Sequence, residues 1–455
     1  MPADERKLHF GVLSFTGTGH VNPLISLSQE LVRRGHRVTF FDQPKIESRV
    51  REAGLGFVPV GTRALAVKRT PPSSHSGLWS EIATLHYNLE RIRRDLQSFL
   101  EETPAALTRA GVNALLIDEI ALTGPTVAQI LHLPYFIIST SVPHRFGWKG
   151  SSWLTGYRYS ASCFSWMQSA FLELSVLRMR GPIRGALDEF RRKAGLGSVR
   201  TIPAEFPCLA HITQMPECLD LPRRSLPKDF HYTGPFVRHA ARPHVAFPWH
   251  RLDGRPILFA SLGTTRNVRP AVFRMIAEAS EALDVQLVIS LGNRFGPDLL
   301  TDLPGRPFVA RYVPQLELLK LAQVVITHGG SNTVFEALME GKPMIVIPLA
   351  YDQPAMAARL ARLRVAEVLP VMRLSPNRIR AAISKLLGET SYYDAAQVIQ
   401  AAIRSIPGPE CAADIIETAL DRYSVRQAVE SRAVQPEANC ASAQHNAQTA
   451  SCLPR

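Results

Sequence analysis

From Val324 to Thr333 the sequence reads VVITHGGSNT. The β-branched apolar residues predict the end of a buried strand, and the glycine pair with the polar residues after it predicts a turn into a helix. Glycines let a backbone approach a ligand closely, and the free N–H groups and dipole of a new helix favour negative charge. This stretch therefore predicts an α/β domain with an anion site at a helix start.

Several side chains near this turn could serve the same ligand. His328 adds a ring donor, and Ser331, Asn332 and Thr333 add hydroxyl or amide groups. Glu336 follows in the first turns of the helix, where a carboxylate could accept from paired hydroxyls such as those of a ribose. A capped helix packed on a sheet is the simpler alternative, but this combination of donors and an acid favours a phosphate site.

The remaining sequence alternates strands and helices in two halves. An apolar run from Leu8 to Phe15, a helical pattern from Val21 to Arg34 and a second strand from Arg37 to Asp42 indicate a βαβ unit with a parallel sheet. A similar series begins at Ile257. We therefore expect an α/β protein with two facing Rossmann-like domains, and a ligand cleft at the carboxyl ends of their strands.

The domain boundaries follow from shifts in composition. A proline-rich stretch with little periodicity indicates a linker, and a Gln-, Ala- and Ser-rich end indicates disorder. The predicted segments are an N-terminal Rossmann-like domain at 1–225, a linker at 226–255, a C-terminal Rossmann-like domain at 256–410, a C-terminal helix at 411–425 that could pack back on the first domain, and a disordered tail at 426–455.

Composition restricts the class of protein. In 455 residues, 46% are hydrophobic and 20% charged, as in ordinary globular proteins. No apolar run approaches the roughly 20 residues that cross a bilayer, and no signal peptide is evident, so we expect a cytoplasmic protein. The formal charge of +13 comes from scattered arginines without stacking aromatics. This excludes a nucleic-acid module and allows peripheral contact with the anionic inner face of a membrane.

The chain also carries a set of motifs at characteristic spacing. They are GTGHVNP at 17–23, YVPQ at 312–315, HGGSNT at 328–333, Glu336, GKP at 341–343, Pro348 and Asp352-Gln353. Together they resemble the UDP-dependent glycosyltransferases of family 1 with the GT-B fold, above all bacterial macrolide and zeaxanthin glucosyltransferases. The resemblance covers about residues 8–423.

The resemblance implies that the domain at 1–225 binds the acceptor and that the domain at 256–410 binds the UDP-sugar. The implied donor site runs from base to sugar. The implied roles are stacking on uracil by Tyr312, base pairing by the Val313 backbone, ribose binding by Gln315 and Glu336, diphosphate binding by Gly263, Thr264, His328, Gly330, Ser331, Asn332 and Thr333, and sugar binding by Asp352 and Gln353. Two positions depart from the family pattern. Tyr312 and Ser331 each stand where tryptophan is common, so stacking should be weaker and the sugar is not specified.

The catalytic pair can be argued from position as well as from resemblance. His20 follows a glycine-rich turn after the first strand, where a helix end should lower its pKa and keep the imidazole neutral. Asp118 ends another strand of the same parallel sheet, so it could orient His20 as a general base. A strand-end cap is the simpler role for Asp118. Side-chain alternation should turn Glu119 away.

No cofactor is expected, because the UDP-sugar is a co-substrate. Asp42 ends the second strand, where a dinucleotide enzyme places a ribose-binding acid, but Gly17-x-Gly19 lacks the third glycine of that fingerprint. The chain contains no Asp-x-Asp triplet to chelate a metal-bound diphosphate. We therefore expect no metal site and metal-independent transfer. The resemblance implies inverting transfer of a hexose, glucose preferred.

The acceptor is inferred from aromatic residues in the predicted helical insertions. These aromatic residues are Trp79, Tyr87, Trp148, Trp153, Tyr157, Tyr159, Phe164, Trp166 and Phe171. Their number favours a lipophilic hydroxylated acceptor, carotenoid-like by resemblance, with a macrolide, polyphenol or sterol as alternatives. A GT-B UDP-sugar epimerase and a non-catalytic UDP-sugar-binding protein are rival functions. The sequence leaves the oligomeric state open.

Overall fold

The fold was analysed in a computed structural model. It describes residues 7–65, 78–143, 181–198, 208–221, 226–237, 245–263, 270–292, 296, 300 and 302–434, without the side chains of 64–92, 182–183 and 428–434. Within this part of the chain, two parallel sheets are each covered by helices on both faces. This confirms the predicted α/β class.

The first sheet is built by the N-terminal half. Its seven described strands run in the order β3-β2-β1-β4-β5-β6-β7, all parallel. The strands are β1 His9–Leu13, β2 Arg37–Asp42, β3 Gly56–Pro59, β4 Ala114–Asp118, β5 Tyr135–Ser139, β6 Ala210–Thr213 and β7 Phe230–Tyr232. The central strands are buried on both faces, which explains their continuous apolar sequences.

The second sheet is built by the C-terminal half. Its six described strands run in the order β10-β9-β8-β11-β12-β13, again parallel. The strands are β8 Ile257–Ser261, β9 Gln286–Ser290, β10 Phe308–Ala310, β11 Ala322–Thr327, β12 Met344–Val346 and β13 Ala366–Val368. The strand order reverses between the adjacent strands β8 and β11, because β9 and β10 are added on one side of β8 and β11 to β13 on the other. The first sheet reverses in the same way between β1 and β4.

Helices connect these strands and complete the two cores. They are α1 Thr18–Arg33, α2 Glu47–Glu52, α3 Thr62–Leu65, α4 Leu78–Ala110, α5 Gly124–Ile130, α6 Gly181–Lys193, α7 Pro270–Glu281, α8 Gln315–Leu321, α9 Ser331–Met339, α10 Gln353–Arg362, α11 Pro376–Gly388, α12 Thr390–Arg404 and α13 Gly408–Val434. The predicted strand and helix positions around 8–42, 114–139 and 257–347 agree with these bounds.

Two predicted boundaries differ from the structure. The stretch assigned to the linker contains β7, which pairs with β6 and extends the N-terminal sheet. The strand is three residues long and sits at a sheet edge, so it leaves almost no periodic signal. At the other end, α13 continues to Val434, beyond the predicted start of the tail at 426. The sequence from 426 to 434, RQAVESRAV, has little apolar periodicity, so it resembles the tail that follows it.

The C-terminal helix belongs to the N-terminal core. Ala412, Ala413, Ile416 and Leu420 of α13 pack in the same hydrophobic cluster as β1, β2 and α1. Arg34 at the end of α1 binds Asp414 at 2.6 Å and Glu417 at 2.7 Å. The chain therefore crosses between the halves twice, once between β7 and β8 and once before α13.

Within the described ranges, no helix combines the length and the apolarity needed to cross a bilayer. The aromatic residues from Trp148 to Phe171 lie outside the described residues, and the side chains of Trp79 and Tyr87 on α4 are likewise not described.

Candidate active site

His20 is presented by the first turn of α1. The carbonyl oxygen of Gly17, the N-cap residue, accepts from the backbone N–H groups of His20 at 2.9 Å and Val21 at 3.0 Å. The ring of Phe15 meets the imidazole edge to face, with 5.3 Å between ring centroids. These contacts fix the turn that carries the imidazole at the carboxyl end of β1.

The His20 imidazole forms a compact cluster with two residues from neighbouring strand ends. Its Nδ1 lies 3.0 Å from Oδ2 of Asp118 and 2.7 Å from Oγ1 of Thr140. The Thr140 hydroxyl also donates to the same Asp118 oxygen at 3.2 Å. The His20 side chain is 19% exposed and that of Asp118 only 1%. The cluster is thus buried on the aspartate side and open toward the cleft.

This geometry determines what His20 can do. A proton on Nδ1 satisfies Asp118, so the neutral imidazole carries its lone pair on Nε2. Burial is the largest effect on the His20 pKa and lowers it, but the charge and hydrogen bond of Asp118, with the charges of Asp352 and Glu119, raise the pKa above its usual value of 6.5. The expectation of a lowered pKa was therefore wrong, because the nearby carboxylates outweigh the effect of burial.

The neighbouring acid Glu119 forms a separate cluster. Its Oε2 accepts from the Ser139 hydroxyl at 2.7 Å, and Nε2 of His211 lies 2.6 Å from that hydroxyl. Glu119, Ser139 and His211 are all buried. They lie on the side of the strands opposite to Asp118 and Thr140, as alternation along β4 and β5 requires.

The turn after β11 surrounds a buried imidazole. A Cβ atom on Gly263 or on Gly330 would lie within 2.6 Å of the His328 ring, so both glycines are needed for the ring to fit. Burial lowers the pKa of His328 to about 4, although a backbone hydrogen bond at Ser261 opposes the shift. The ring is neutral at pH 7, and the positive potential of this pocket comes from the start of α9. Thr264 lies outside the described residues.

The two residues expected at a ribose lie side by side. Nε2 of Gln315, at the start of α8, donates to Oε2 of Glu336 on α9 at 2.5 Å. Tyr312 precedes them in the loop after β10, and its side chain is 44% exposed, while Val313 is buried. Along the chain from β10 to α9, the exposed Tyr312 ring is therefore followed by the buried Val313 and then by the Gln315–Glu336 pair.

The residues expected at the sugar lie where the two halves meet. Oδ2 of Asp352 is 3.4 Å from the backbone N–H of Val142 in the N-terminal half. Burial raises the Asp352 pKa, and the Val142 N–H, His20 and Ser331 oppose this shift. Oε1 of Gln353 accepts from the backbone N–H groups of Leu349 at 2.8 Å and Ala350 at 2.9 Å. Gln353 thus shapes the loop that carries Asp352.

The start of α9 gives its polar residues different environments. Ser331 and Thr333 are buried in the first turn. Asn332, which the sequence assigned to the diphosphate, instead uses both ends of its side chain within the protein. Its Nδ2 donates to the Gly19 carbonyl oxygen at 2.9 Å, and its Oδ1 accepts from Nε2 of Gln214 at 3.1 Å.

Sequence reasoning missed Thr140 and Gln214. Thr140 follows the last residue of β5, and Gln214 follows the last residue of β6. Both occupy the sheet edge that also carries His20 and Asp118. The rule that ligands bind at the carboxyl ends of parallel strands could have identified them, had it been applied to every strand of the first sheet.

Family models match both halves of the chain. The model described as "Glycosyltransferase family 28 N-terminal domain" matches residues 12–137, and "Erythromycin biosynthesis protein CIII-like, C-terminal domain" matches residues 274–419. The first match includes both His20 and Asp118, and the second includes the α9 turn. The chain is a family 1 glycosyltransferase with the GT-B fold.

Relatives of this glycosyltransferase match it over nearly their whole length. A zeaxanthin glucosyltransferase of Pantoea ananas is 29% identical, over 90% of this chain and 95% of the relative. The NDP-glycosyltransferase YjiC of Bacillus subtilis is 26% identical, over 93% of this chain and 100% of the relative. The solved glycotransferase of kitacinnamycin shares the fold, with a TM-score of 0.70, 24% identity and coverage of 91% and 99%.

The glycosyltransferase fold explains why the two clusters face each other. His20 follows β1 and Asp118 ends β4, while Gly263 and His328 follow β8 and β11. Each cluster therefore lies at the point where its sheet reverses strand order. Among the described residues, no group of three or more His, Cys, Asp or Glu side chains could hold a metal ion. In the described part of the chain, the His20–Asp118 pair lies at the strand ends of one sheet and the start of α9 at those of the other.

Proposed function

We propose that this glycosyltransferase transfers a hexose, glucose preferred, from a UDP-sugar to a hydroxyl group of a lipophilic small molecule, with inversion at the anomeric carbon. The observation that carries the proposal is the His20–Asp118 contact of 3.0 Å opposite the glycine turn of α9. A base and an anion site on opposite sides of one cleft are what a direct displacement requires.

In the proposed step, Nε2 of His20 takes the proton of the acceptor hydroxyl. The acceptor oxygen forms a bond to the anomeric carbon while the bond from that carbon to the β-phosphate oxygen breaks. The electron pair leaves with UDP, and the proton on His20 later passes to solvent. Asp118, which already accepts from Nδ1, stabilises the imidazolium.

The leaving group is stabilised at the start of α9. Unpaired backbone N–H groups and the helix dipole favour a diphosphate there, and the buried, neutral His328 ring packs against Gly263 and Gly330 of the same subsite. Gly330 supports the proposal because a side chain there would overlap the His328 ring. We expect the hydroxyls of Ser331 and Thr333 and the loop of Gly263 and Thr264 to complete this subsite. No cofactor and no metal are part of the proposed step.

The rest of the donor follows the line of residues from Tyr312 to Gln353. Tyr312 and the Val313 backbone would hold the uracil, Gln315 and Glu336 the ribose hydroxyls, and Asp352 and Gln353 the sugar hydroxyls. The Gln315–Glu336 contact supports the ribose role, since one carboxylate and one amide can bind a pair of adjacent hydroxyls. The partly exposed Tyr312 supports a base site at the cleft edge.

A carotenoid-like acceptor is favoured by the relatives. The zeaxanthin glucosyltransferase match covers most of both chains. The aromatic residues of the insertions are consistent with an apolar acceptor. Macrolides remain the alternative acceptor class, because an oleandomycin glycosyltransferase of Streptomyces antibioticus is 26% identical over 92% of both chains.

The experiment is a matrix of donors and acceptors analysed by mass spectrometry. UDP-glucose and dTDP-glucose are each incubated with zeaxanthin, a macrolide, a polyphenol and a sterol; the dTDP arm is included because YjiC is named only for an unspecified nucleoside diphosphate. We expect a mass gain of one hexose on zeaxanthin with UDP-glucose, and an anomeric configuration opposite to that of the donor. Conversion of the UDP-sugar to its epimer without any acceptor product would contradict the proposal.

A further inference from the structure

The starts of two helices, one from each half of the protein, are joined directly. Asn332 is the second residue of α9, and its Nδ2 donates to the carbonyl oxygen of Gly19, the second residue of α1. Gly19 immediately precedes His20 in the chain. The helix that faces the donor diphosphate thus contacts the turn that carries the proposed base.

Pro23 explains why the Gly19 oxygen can accept this bond. In a regular helix, the N–H group four residues later would donate to the Gly19 carbonyl oxygen, but that residue is Pro23, which has no N–H. The missing intrahelical donor leaves this acceptor available on the cleft side of α1. Asn332 supplies a donor from the opposite half in its place.

Gln214 fixes the other end of the Asn332 side chain. Gln214 is fully buried. Its Oε1 accepts from the backbone N–H of Phe236 at 3.2 Å, and its Nε2 donates both to the Thr140 carbonyl oxygen and to Oδ1 of Asn332. Because Phe236 requires an acceptor and Thr140 requires a donor, only one orientation of the Gln214 amide satisfies all three contacts.

Thr140 connects this amide to the catalytic cluster. The backbone of Thr140 is held by Gln214, and its side-chain hydroxyl lies against both His20 and Asp118. A continuous polar chain therefore runs from Asp118 through Thr140 and Gln214 to Asn332, and returns to α1 at Gly19. One end of this chain contacts His20 through Thr140, and the other end reaches Gly19, the residue before His20.

We propose that Gln214 and Asn332 are positioning residues that set the distance between His20 and the donor bound at α9. The inference rests on the proposed function, in which His20 is the base. Displacement of a reacting group by about 1 Å can cost on the order of 100-fold in rate. The Gln214–Asn332 bridge restrains that displacement because it ties both helix starts to one buried amide.

A different role for Asn332 makes a different prediction. If its side chain acts only as a diphosphate ligand, removal should weaken UDP binding and leave the rate at saturating donor unchanged. If it is a positioning residue, removal should lower kcat while UDP binding changes little. Gln214 contacts the Asn332 side chain from the N-terminal half. Its removal should lower kcat while UDP binding changes little.

The test uses Gln214→Met, Asn332→Ala and the double variant in the full chain. Turnover is measured with UDP-glucose and the best acceptor of the panel at saturation, and the Kd for UDP is measured by calorimetry. We expect each single variant to lower kcat by about 10–100-fold, with the Kd for UDP within about twofold. The double variant should be no slower than the slower single variant, because both break one bridge.

Gln286→Met provides a matched control. Gln286 also binds the backbone at both ends of its amide, through Asp253 N–H at 3.0 Å and the Arg251 oxygen at 2.7 Å, but it does so far from the cleft at the start of β9. It should keep the kcat of the parent protein. Asn332 is only partly buried, so Asn332→Ala keeps the test decisive if Gln214→Met fails to fold.

Two results would overturn the proposal. One is an unchanged kcat in Asn332→Ala with a weaker affinity for UDP, and the other is a double variant whose loss equals the product of the two single losses. Failure of the proposed function has a separate signature. In that case His20→Ala itself keeps its turnover, whatever the Gln214 and Asn332 variants do.

Discussion

Arg359 and Asp220 form an ion pair in the interior, where the two halves of the protein meet. Nη2 and Nε of Arg359 donate to Oδ1 of Asp220 at 2.8 and 3.1 Å, and the two side chains are 1% and 2% exposed. Arg359 lies on α10 of the C-terminal half, and Asp220 follows β6 of the N-terminal half. The second Asp220 oxygen accepts from the Tyr232 hydroxyl at 2.7 Å.

Arg359→Met should destabilise the protein by about 3–5 kcal/mol, because it removes a hydrogen-bonded cation from the buried Asp220 carboxylate. Urea unfolding measures the loss. Arg255→Met removes a pair of similar length, 2.7 Å to Asp253, from an exposed site with 44% and 41% exposure. That control should lose no more than about 1 kcal/mol. Equal losses in the two variants would show that burial does not determine the contribution of Arg359.

His20→Ala should reduce transfer by about 100- to 10,000-fold, the range expected for loss of a general base. UDP binding should persist, since His20 belongs to the opposite half from the α9 turn. Turnover and UDP calorimetry separate the two effects. His250→Ala, in an exposed turn before β8, is the control and should retain full activity. Undiminished turnover in His20→Ala would remove His20 from the mechanism.

The pH dependence of kcat/KM should report His20. A general base acts when unprotonated, so activity is present above the His20 pKa and is lost as the pH falls through it. Asp118 and the nearby acids hold that pKa above 6.5 despite burial, which lowers it. Asp118→Asn removes a negative charge, so the inflection should move to lower pH while the plateau also falls.

The pH experiment has its own control. Asp253→Asn removes a carboxylate that is exposed and distant from His20, and it should leave the inflection in place. An inflection that stays in place in Asp118→Asn would mean that a group other than His20 limits the rate at low pH.

Gly263→Ala should weaken UDP binding more than Gly254→Ala does. Both glycines have positive φ, +72° and +88°, so an alanine strains the backbone at either site. Only at Gly263 would the new Cβ also meet the His328 ring, at 2.5 Å, whereas no atom lies within 4 Å at Gly254. We expect a loss of UDP affinity of about 10-fold or more for Gly263→Ala, following a misplacement of His328. Equal affinities would remove His328 from the diphosphate site.

Turnover should be insensitive to EDTA. In the proposed step, the N–H groups and dipole of α9, with nearby hydroxyl groups, stabilise the leaving diphosphate without a divalent cation. Activity is measured after dialysis against EDTA and again after addition of magnesium. Loss of activity with EDTA and its recovery with magnesium would contradict this prediction.

Much of the fold could be read from periodicity. The apolar run before His328 and the glycines after it predicted β11 and α9, and the spacing from Leu8 to Asp42 predicted the first βαβ unit. The edge strand β7 was assigned to a linker because three residues carry no detectable period. Short edge elements depend on a neighbouring strand for their hydrogen bonds, and the identity of that neighbour is absent from local sequence.

The candidate site also has one part that the sequence predicts and another that only the tertiary structure shows. The sequence by itself determined which residues end the strands and open the helices, including His20, Asp118 and the turn at His328, because local propensity and glycine chemistry act over a few residues. Tertiary structure alone decided that Thr140 and Gln214 join the catalytic cluster, that Asn332 contacts Gly19, and that carboxylates raise the His20 pKa. These properties arise from contacts between residues 74 or more positions apart in the chain, and such contacts exist only once the two sheets are packed.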